Sequence, residues 1–143
     1  MKTLPLMLLF VFVFQQTAEI EFFCNGKFYQ FVLPAESYEV STKSYTEGTF
    51  TTYKYGSGER IVLHVGDNVV KPFLKRKKYK EIETTTTEFG VIRKGIDKET
   101  DLFWQEYTSI DGLITVYFTN VTENRLLQFE ESLKTLHVSR KVK

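Results

Sequence analysis

Residues 20–31 read IEFFCNGKFYQF, and this stretch decides the fold class because an Asn-Gly pair stands between two aromatic runs. Asn-Gly suits the two-residue turn that joins neighbouring antiparallel strands. A turn at Asn25-Gly26 places three pairs on one face of the hairpin: Cys24 opposite Lys27, Phe22 opposite Tyr29, and Ile20 opposite Phe31. We expect that face to be buried. Cys24 is either a reactive thiol or a small buried hydrophobe, and its surroundings in the sequence favour the second.

A second hairpin is predicted to turn at Gly56-Ser57-Gly58. On its return strand Ile61, Leu63 and Val65 alternate with other residues and should face the core. His64 then points outward or toward a second layer. A catalytic role would require a partner that the sequence does not indicate, so we expect His64 to be a surface or half-buried spectator.

A third hairpin is predicted to turn at Asp111-Gly112. Its register pairs Tyr107 with Val116, Gln105 with Phe118, and Phe103 with Asn120 on the core side. The opposite side carries Trp104 and Tyr117, which are close enough to form an aromatic patch. Two interpretations stay open: a flat platform for a sugar or peptide, or the floor beneath a loop or second helix.

Two other regions complete the fold prediction. Residues 81–92 favour one long strand with a bulge at Gly90, and residues 70–74 favour either a short helix or a loop. From Thr122 as N-cap, an apolar stripe at helical spacing predicts a helix over 123–136: Leu126, Phe129, Leu133 and Leu136. We therefore predict a single α+β domain at 19–143, with about six antiparallel strands built from hairpins and this helix packed on one face.

Residues 1–18 have the features of a secretory signal peptide. Lys2 precedes an apolar run at 4–14, which is shorter than the roughly 20 residues that cross a bilayer as a helix. Polar residues then lead to Ala18, where cleavage is expected. The alternatives are an uncleaved anchor or a buried first strand. The expectation is an exported protein, either periplasmic or secreted.

Composition narrows the function classes. The chain has 143 residues with 19 Lys plus Arg against 18 Asp plus Glu, a balance that argues against nucleic-acid binding. One Cys and two His are too few for structural zinc. No phosphate-binding loop, metalloprotease or nucleophile-elbow motif occurs. We expect no cofactor, no metal and no catalytic residue.

A dense run of positive charge is the first candidate site. Six of the residues in 71–80 are basic, and aromatic and aliphatic residues are interspersed among them. The basic residues are Lys71, Lys75, Arg76, Lys77, Lys78 and Lys80. This run is predicted to bind an unknown protein or an anionic surface, with peripheral membrane contact left open. The simpler interpretation is a solvated face. The Trp104 and Tyr117 patch is the second candidate, and Asn120-Val121-Thr122 is a glycosylation sequon.

The function expected from these features is that of a non-catalytic exported binding or accessory protein, which engages a macromolecular partner through a surface patch. The alternative is a small secreted hydrolase. Its site would use His64 or a carboxylate pair such as Glu81 and Glu83.

Several local features also resemble a known group of proteins. They are the signal-like start, Val32-Leu33-Pro34 after the first hairpin, the turn at 53–58, and Asn120-Val121-Thr122 leading into FEESL at 129–133. With them the chain resembles small exported Bacteroidota proteins of unknown function. Its layout is similar to the Mog1/PsbP-like α+β fold, which implies an antiparallel sheet with helices against it. The resemblance implies no functional residue.

Overall fold

Ten strands and one helix occur in the part of the chain that the computed structural model describes, which is residues 18–46, 48–66 and 77–139. In chain order they are β1 (Glu19–Cys24), β2 (Lys27–Val32), β3 (Tyr38–Tyr45), β4 (Gly48–Tyr55), β5 (Arg60–Gly66), β6 (Tyr79–Thr86), β7 (Gly90–Asp97), β8 (Phe103–Ser109), β9 (Ile114–Val121), α1 (Glu123–Lys134) and β10 (His137–Val138). Within these residues α1 lacks the length and apolarity needed to span a bilayer.

The strands form two antiparallel sheets. The large sheet has seven strands in the order β3-β4-β5-β9-β8-β7-β6, and the small sheet has three in the order β1-β2-β10. The large sheet is thus two meanders, β3 to β5 and β6 to β9, joined where β5 pairs with β9. The α+β class with an antiparallel sheet is confirmed, whereas the prediction of about six strands is wrong.

One face of the large sheet is covered by α1 and the small sheet. Phe129 of α1 is fully buried, and its ring lies 5.8 Å from that of Phe118 on β9. From β2, the Phe31 ring lies 6.4 Å from Tyr53 on β4. Phe129 and Leu133 are buried while Leu126 and Leu136 pack beside them, which confirms the predicted apolar stripe. The helix itself ends at Lys134 rather than at residue 136.

The first hairpin has the predicted register at every pair. Cys24, the single cysteine of the chain, is buried in the core as expected. In the third hairpin the pairs Tyr107–Val116 and Gln105–Phe118 are confirmed, but Phe103 pairs with Val121 instead of Asn120. The cause is a register shift between Phe103 and Gln105. Opposite it, Asn120 adopts a left-handed φ of 63°.

Residues 81–92 form parts of two strands rather than one. The chain turns at 87–89, where the Gly90 N–H donates to Thr87 Oγ1 at 3.2 Å. Gly90 is therefore the first residue of β7, and the irregularity in pairing falls between Glu81 and Glu83. The predicted short helix or loop at 70–74 lies outside the described residues. Strands β3 and β10 had not been predicted.

Gly95 on β7 marks a close approach between strands. A methyl group at its Cα would lie 1.9 Å from the Lys80 carbonyl oxygen and 2.7 Å from Cζ2 of Trp104. Only hydrogen fits there, because real Cβ atoms do not approach backbone oxygen so closely. The indole of Trp104 consequently lies directly over the backbone of β7.

Candidate functional site

The basic run at 71–80 is only partly described. Lys71, Lys75 and Arg76 lie outside the described residues, whereas Lys77 and Lys80 are exposed. The Nζ atom of Lys78 lies 3.5 Å from the Asp97 carboxylate and 5.0 Å from the centroid of the Tyr79 ring. Lys78 is thus held within the fold, and the partner-binding role of the run stays a prediction.

Asp97 is a buried carboxylate at the end of β7. Burial raises the pKa of this carboxyl group. Two interactions lower the pKa: the Glu99 backbone N–H donates to the carboxylate at 2.9 Å, and the positive charge of Lys78 lies close by. The net result is a pKa below the usual value for Asp. The charged form of Asp97 therefore stabilises the folded chain.

The Trp104 and Tyr117 patch lies on the sheet face opposite α1. Trp104 is 3% exposed and its ring lies 6.2 Å from that of Tyr79, while Tyr117 is half-buried. Because the Trp104 indole is buried, the structure favours the interpretation of this patch as a floor beneath other parts of the chain over its interpretation as an open binding platform. The binding role of Trp104 and Tyr117 stays a prediction.

His64 lies on the same face and is fully buried, so the expectation of a surface or half-buried residue is wrong. Its ring packs 4.3 Å from that of Phe50. Strand β9 separates His64 from the buried Glu106 on β8, because His64 pairs with Thr115 and Glu106 pairs with Tyr117. Strands two apart lie about 10 Å from each other at the backbone.

The carboxylates of the other hydrolase candidates are exposed and form ion pairs. Glu81 lies 3.6 Å from Arg93, and Glu83 lies 3.3 Å from Lys94. Among residues 18–46, 48–66 and 77–139, no group of three or more His, Cys, Asp or Glu is placed to hold a metal ion.

In the sequon, the Asn120 amide is half-buried and donates to the Gly58 carbonyl at 3.3 Å.

A pocket of about 490 Å³ opens between the small sheet and one end of the large sheet. We call it the two-tyrosine pocket. It draws on β2, β8, β9, β10 and the two turns at 87–89 and 110–112. Its lining residues are Lys27, Tyr29, Glu88, Phe89, Tyr107, Ser109, Ile110, Asp111, Ile114, Leu136, His137 and Val138. Its volume falls within the range of small-ligand pockets.

Polar groups converge on one wall of this pocket. Burial and the neighbouring Asp111 carboxylate raise the pKa of Tyr29. Burial and the nearby Tyr29 do the same for Tyr107. The Ser109 hydroxyl donates to Asp111 at 2.6 Å, and with the Leu113 N–H it lowers the pKa of Asp111. At neutral pH the wall therefore presents two neutral phenols beside one fixed carboxylate.

Large apolar side chains form the rim of the two-tyrosine pocket. Phe89 is 68% exposed, Ile110 is 72% exposed and Val138 is 46% exposed. The two turns that carry Phe89 and Ile110 are joined, since the Phe89 carbonyl accepts from the Ile110 N–H at 3.0 Å and from the Tyr107 hydroxyl at 3.1 Å. The rim is therefore held in place by hydrogen bonds rather than carried on independent loops.

Sequence reasoning did not find this pocket, because its residues come from distant parts of the chain. Two signals were nevertheless present. Phe89 and Ile110 are apolar residues within turns, where polar residues are usual. Each stands beside a turn-forming residue, Gly90 in one case and Asp111 in the other.

A scan against protein-family models, a search of curated proteins and a search of solved structures each found no match for this chain. The resemblance to exported Bacteroidota proteins thus stays a prediction.

Proposed function

We propose that this chain is an exported, non-catalytic binding or accessory protein that holds a partner protein at the two-tyrosine pocket. The observation that carries the proposal is the set of three large apolar side chains exposed around one pocket: Phe89, Ile110 and Val138. Single exposed apolar residues are common on soluble proteins, but a cluster around a concavity is typical of an interaction site.

The occupant that suits this surface is an aromatic or long aliphatic side chain on an extended segment of the partner. Ile114 is buried at the pocket, and Leu136 adds a second aliphatic wall. Burying one large apolar side chain contributes about 1.5–3 kcal/mol. Two such side chains on the rim would thus change the dissociation constant by roughly two to four orders of magnitude if both were covered.

Polar groups in the pocket would orient the bound segment of the partner. The phenols of Tyr29 and Tyr107 are protonated at neutral pH, and their raised pKa values keep them so. The Tyr29 hydroxyl can donate a hydrogen bond, whereas the Tyr107 hydroxyl already donates to the Phe89 carbonyl and can accept one through its oxygen. Asp111 accepts at one side, and Lys27 adds a cation at the rim. This combination suits the backbone of an extended peptide, whose carbonyl and N–H groups need both donors and acceptors.

The test is affinity capture from the envelope fraction of the native host with two variants. Phe89→Ser/Ile110→Ser removes the apolar rim, and Leu127→Ser is the matched control because Leu127 is 68% exposed on α1, outside the pocket. Wild type and Leu127→Ser should retain the same protein, and the double variant should lose it. Equal capture by all three would contradict the proposal.

Export is tested separately by N-terminal sequencing of the protein from that host. Cleavage after Ala18 gives a chain that begins at Glu19, the first residue of β1. Recovery of intact Met1 from the cytosolic fraction would contradict export and leave the pocket proposal standing. The binding role predicted for the basic residues in 71–80 is a further proposal of the same kind.

A further inference from the structure

A second concave surface lies on the other side of the large sheet, at the edge formed by β3, β4 and β5. We call it the cationic groove. It has a volume of about 300 Å³ and is lined by Glu39, Val40, Ser41, Lys43, Phe50, Thr52, Lys54 and Arg60. Three cations against one carboxylate make it locally basic, although the whole chain carries a formal charge of only +1.

The strand register explains how the cations are arranged. Lys54 on β4 lies directly opposite Arg60 on β5, and its other neighbour is Glu39 on β3. Like charges directly opposite each other destabilise a sheet. None of the ion pairs formed among the described residues includes Lys43, Lys54 or Arg60. Within the part of the chain that the structure describes, no carboxylate therefore lies within salt-bridge distance to offset the repulsion between Lys54 and Arg60.

The groove is elongated. Lys43 pairs with Phe50, four residues along β4 from Lys54. At about 3.4 Å per residue, the two ends of the groove are roughly 14 Å apart at the backbone. Between the ends lie the hydroxyls of Ser41 and Thr52, and the half-buried ring of Phe50 lies at the Lys43 end.

We infer that the cationic groove binds a linear oligosaccharide that carries carboxylate groups. The cations at the two ends meet the carboxylates, the two hydroxyls hydrogen-bond to sugar hydroxyls, and Phe50 supplies an apolar wall for a sugar ring. The length of the groove favours an extended chain over a single compact anion. This inference does not depend on the two-tyrosine pocket, because the two lining sets share no residue.

Calorimetric titration of the folded chain with defined sugars tests the inference. The probes are trigalacturonic acid, monomeric galacturonic acid and neutral maltotriose. The charged trimer should bind at least tenfold more tightly than either comparison, because only it engages both ends through charged contacts. Its affinity should fall as salt is added. Equal affinity for the charged and the neutral trimer would overturn the inference.

Variants locate the binding site. Lys43→Gln and Lys54→Gln should each weaken binding of trigalacturonic acid about tenfold, the usual effect of losing one charge-assisted hydrogen bond. Lys98→Gln is the matched control, since Lys98 is exposed and does not line the groove. All three positions are exposed, and thermal melting checks that each variant folds. Unchanged binding by Lys43→Gln and Lys54→Gln would overturn the inference, and tighter binding of tripolyphosphate than of the sugar would overturn the assignment to a carbohydrate.

Discussion

Replacing Arg125 with Met should strongly destabilise the protein, because this residue neutralises a buried acid. Arg125 projects from the first turns of α1. Its Nε lies 2.6 Å from the Glu59 carboxylate, and its Nη1 lies 2.6 Å from that of Glu36. Glu59 is 2% exposed and also accepts from the Ser57 hydroxyl at 2.7 Å. The ion pairs thus tie the helix to the β4–β5 turn and to the β2–β3 connection.

The size of the effect follows from burial. Removing one partner of a buried ion pair leaves an uncompensated charge and costs about 3–5 kcal/mol. The guanidinium also packs 5.4 Å from the centroid of the Phe129 ring, a contact that Met partly preserves. The Glu36 side chain is 37% exposed, so Glu36→Gln should cost only about 0–1 kcal/mol. Arg125→Met should therefore cost several-fold more than Glu36→Gln.

Urea unfolding of four proteins measures these terms: wild type, Arg125→Met, Glu36→Gln and the double variant Glu59→Gln/Arg125→Met. Arg125→Met should lower the free energy of unfolding by about 3–5 kcal/mol and the melting temperature by roughly 10–20 °C. The double variant should recover part of the loss, because it no longer buries an unpaired carboxylate. A loss under 1 kcal/mol for Arg125→Met, or equal losses for it and Glu36→Gln, would refute this reasoning.

Three further perturbations test the fold. Leu133→Ala should cost roughly 2–5 kcal/mol in thermal unfolding, and an unchanged melting temperature would remove α1 from the core. Gly95→Ala should cost about 1–3 kcal/mol by overpacking, whereas Gly56→Ala, with open space around it, should be near neutral, and equal effects would contradict the close approach at β7. Because its pKa is lowered, charged Asp97 adds stability above about pH 4 that is lost as the pH falls through the lowered pKa. Asp97→Asn should therefore flatten the pH dependence of urea unfolding in acid, and parallel curves would argue otherwise.

The local elements were predictable where a turn signal stands between apolar runs. Asn25-Gly26 specifies its own hairpin, so the register of β1 and β2 follows from the turn alone. Strand β3 has no comparable signal in the sequence. Nearly all of its residues are exposed, and apolar and polar residues do not alternate along it. An edge strand of this kind gives no signal for the side that is buried.

Other features depend on contacts that a single strand does not encode. The shift that pairs Phe103 with Val121 involves the left-handed Asn120, whose amide is bound to the β4–β5 turn. His64 is predicted from the sequence to be at the surface or half-buried, because the alternation on β5 does not show how far the second face of the sheet is covered. In fact His64 and Thr115 are both fully buried on the other face. The two-tyrosine pocket could not be predicted from single hairpins, because its walls come from both sheets and depend on how the two sheets pack.

The joining of two meanders at β5 and β9 has a consequence for how the chain folds. Each meander can form from contacts between neighbours in the sequence, which close quickly. The seam between residues 60–65 and 114–119 needs β9, which is the last strand of the second meander in the sequence. During synthesis β5 therefore emerges long before its partner, and its edge carries Ile61, Val62 and Leu63, which are buried in the finished fold. Until β9 is synthesised, that unpaired edge is open to aggregation, and the speed of closing the seam sets how long the exposure lasts.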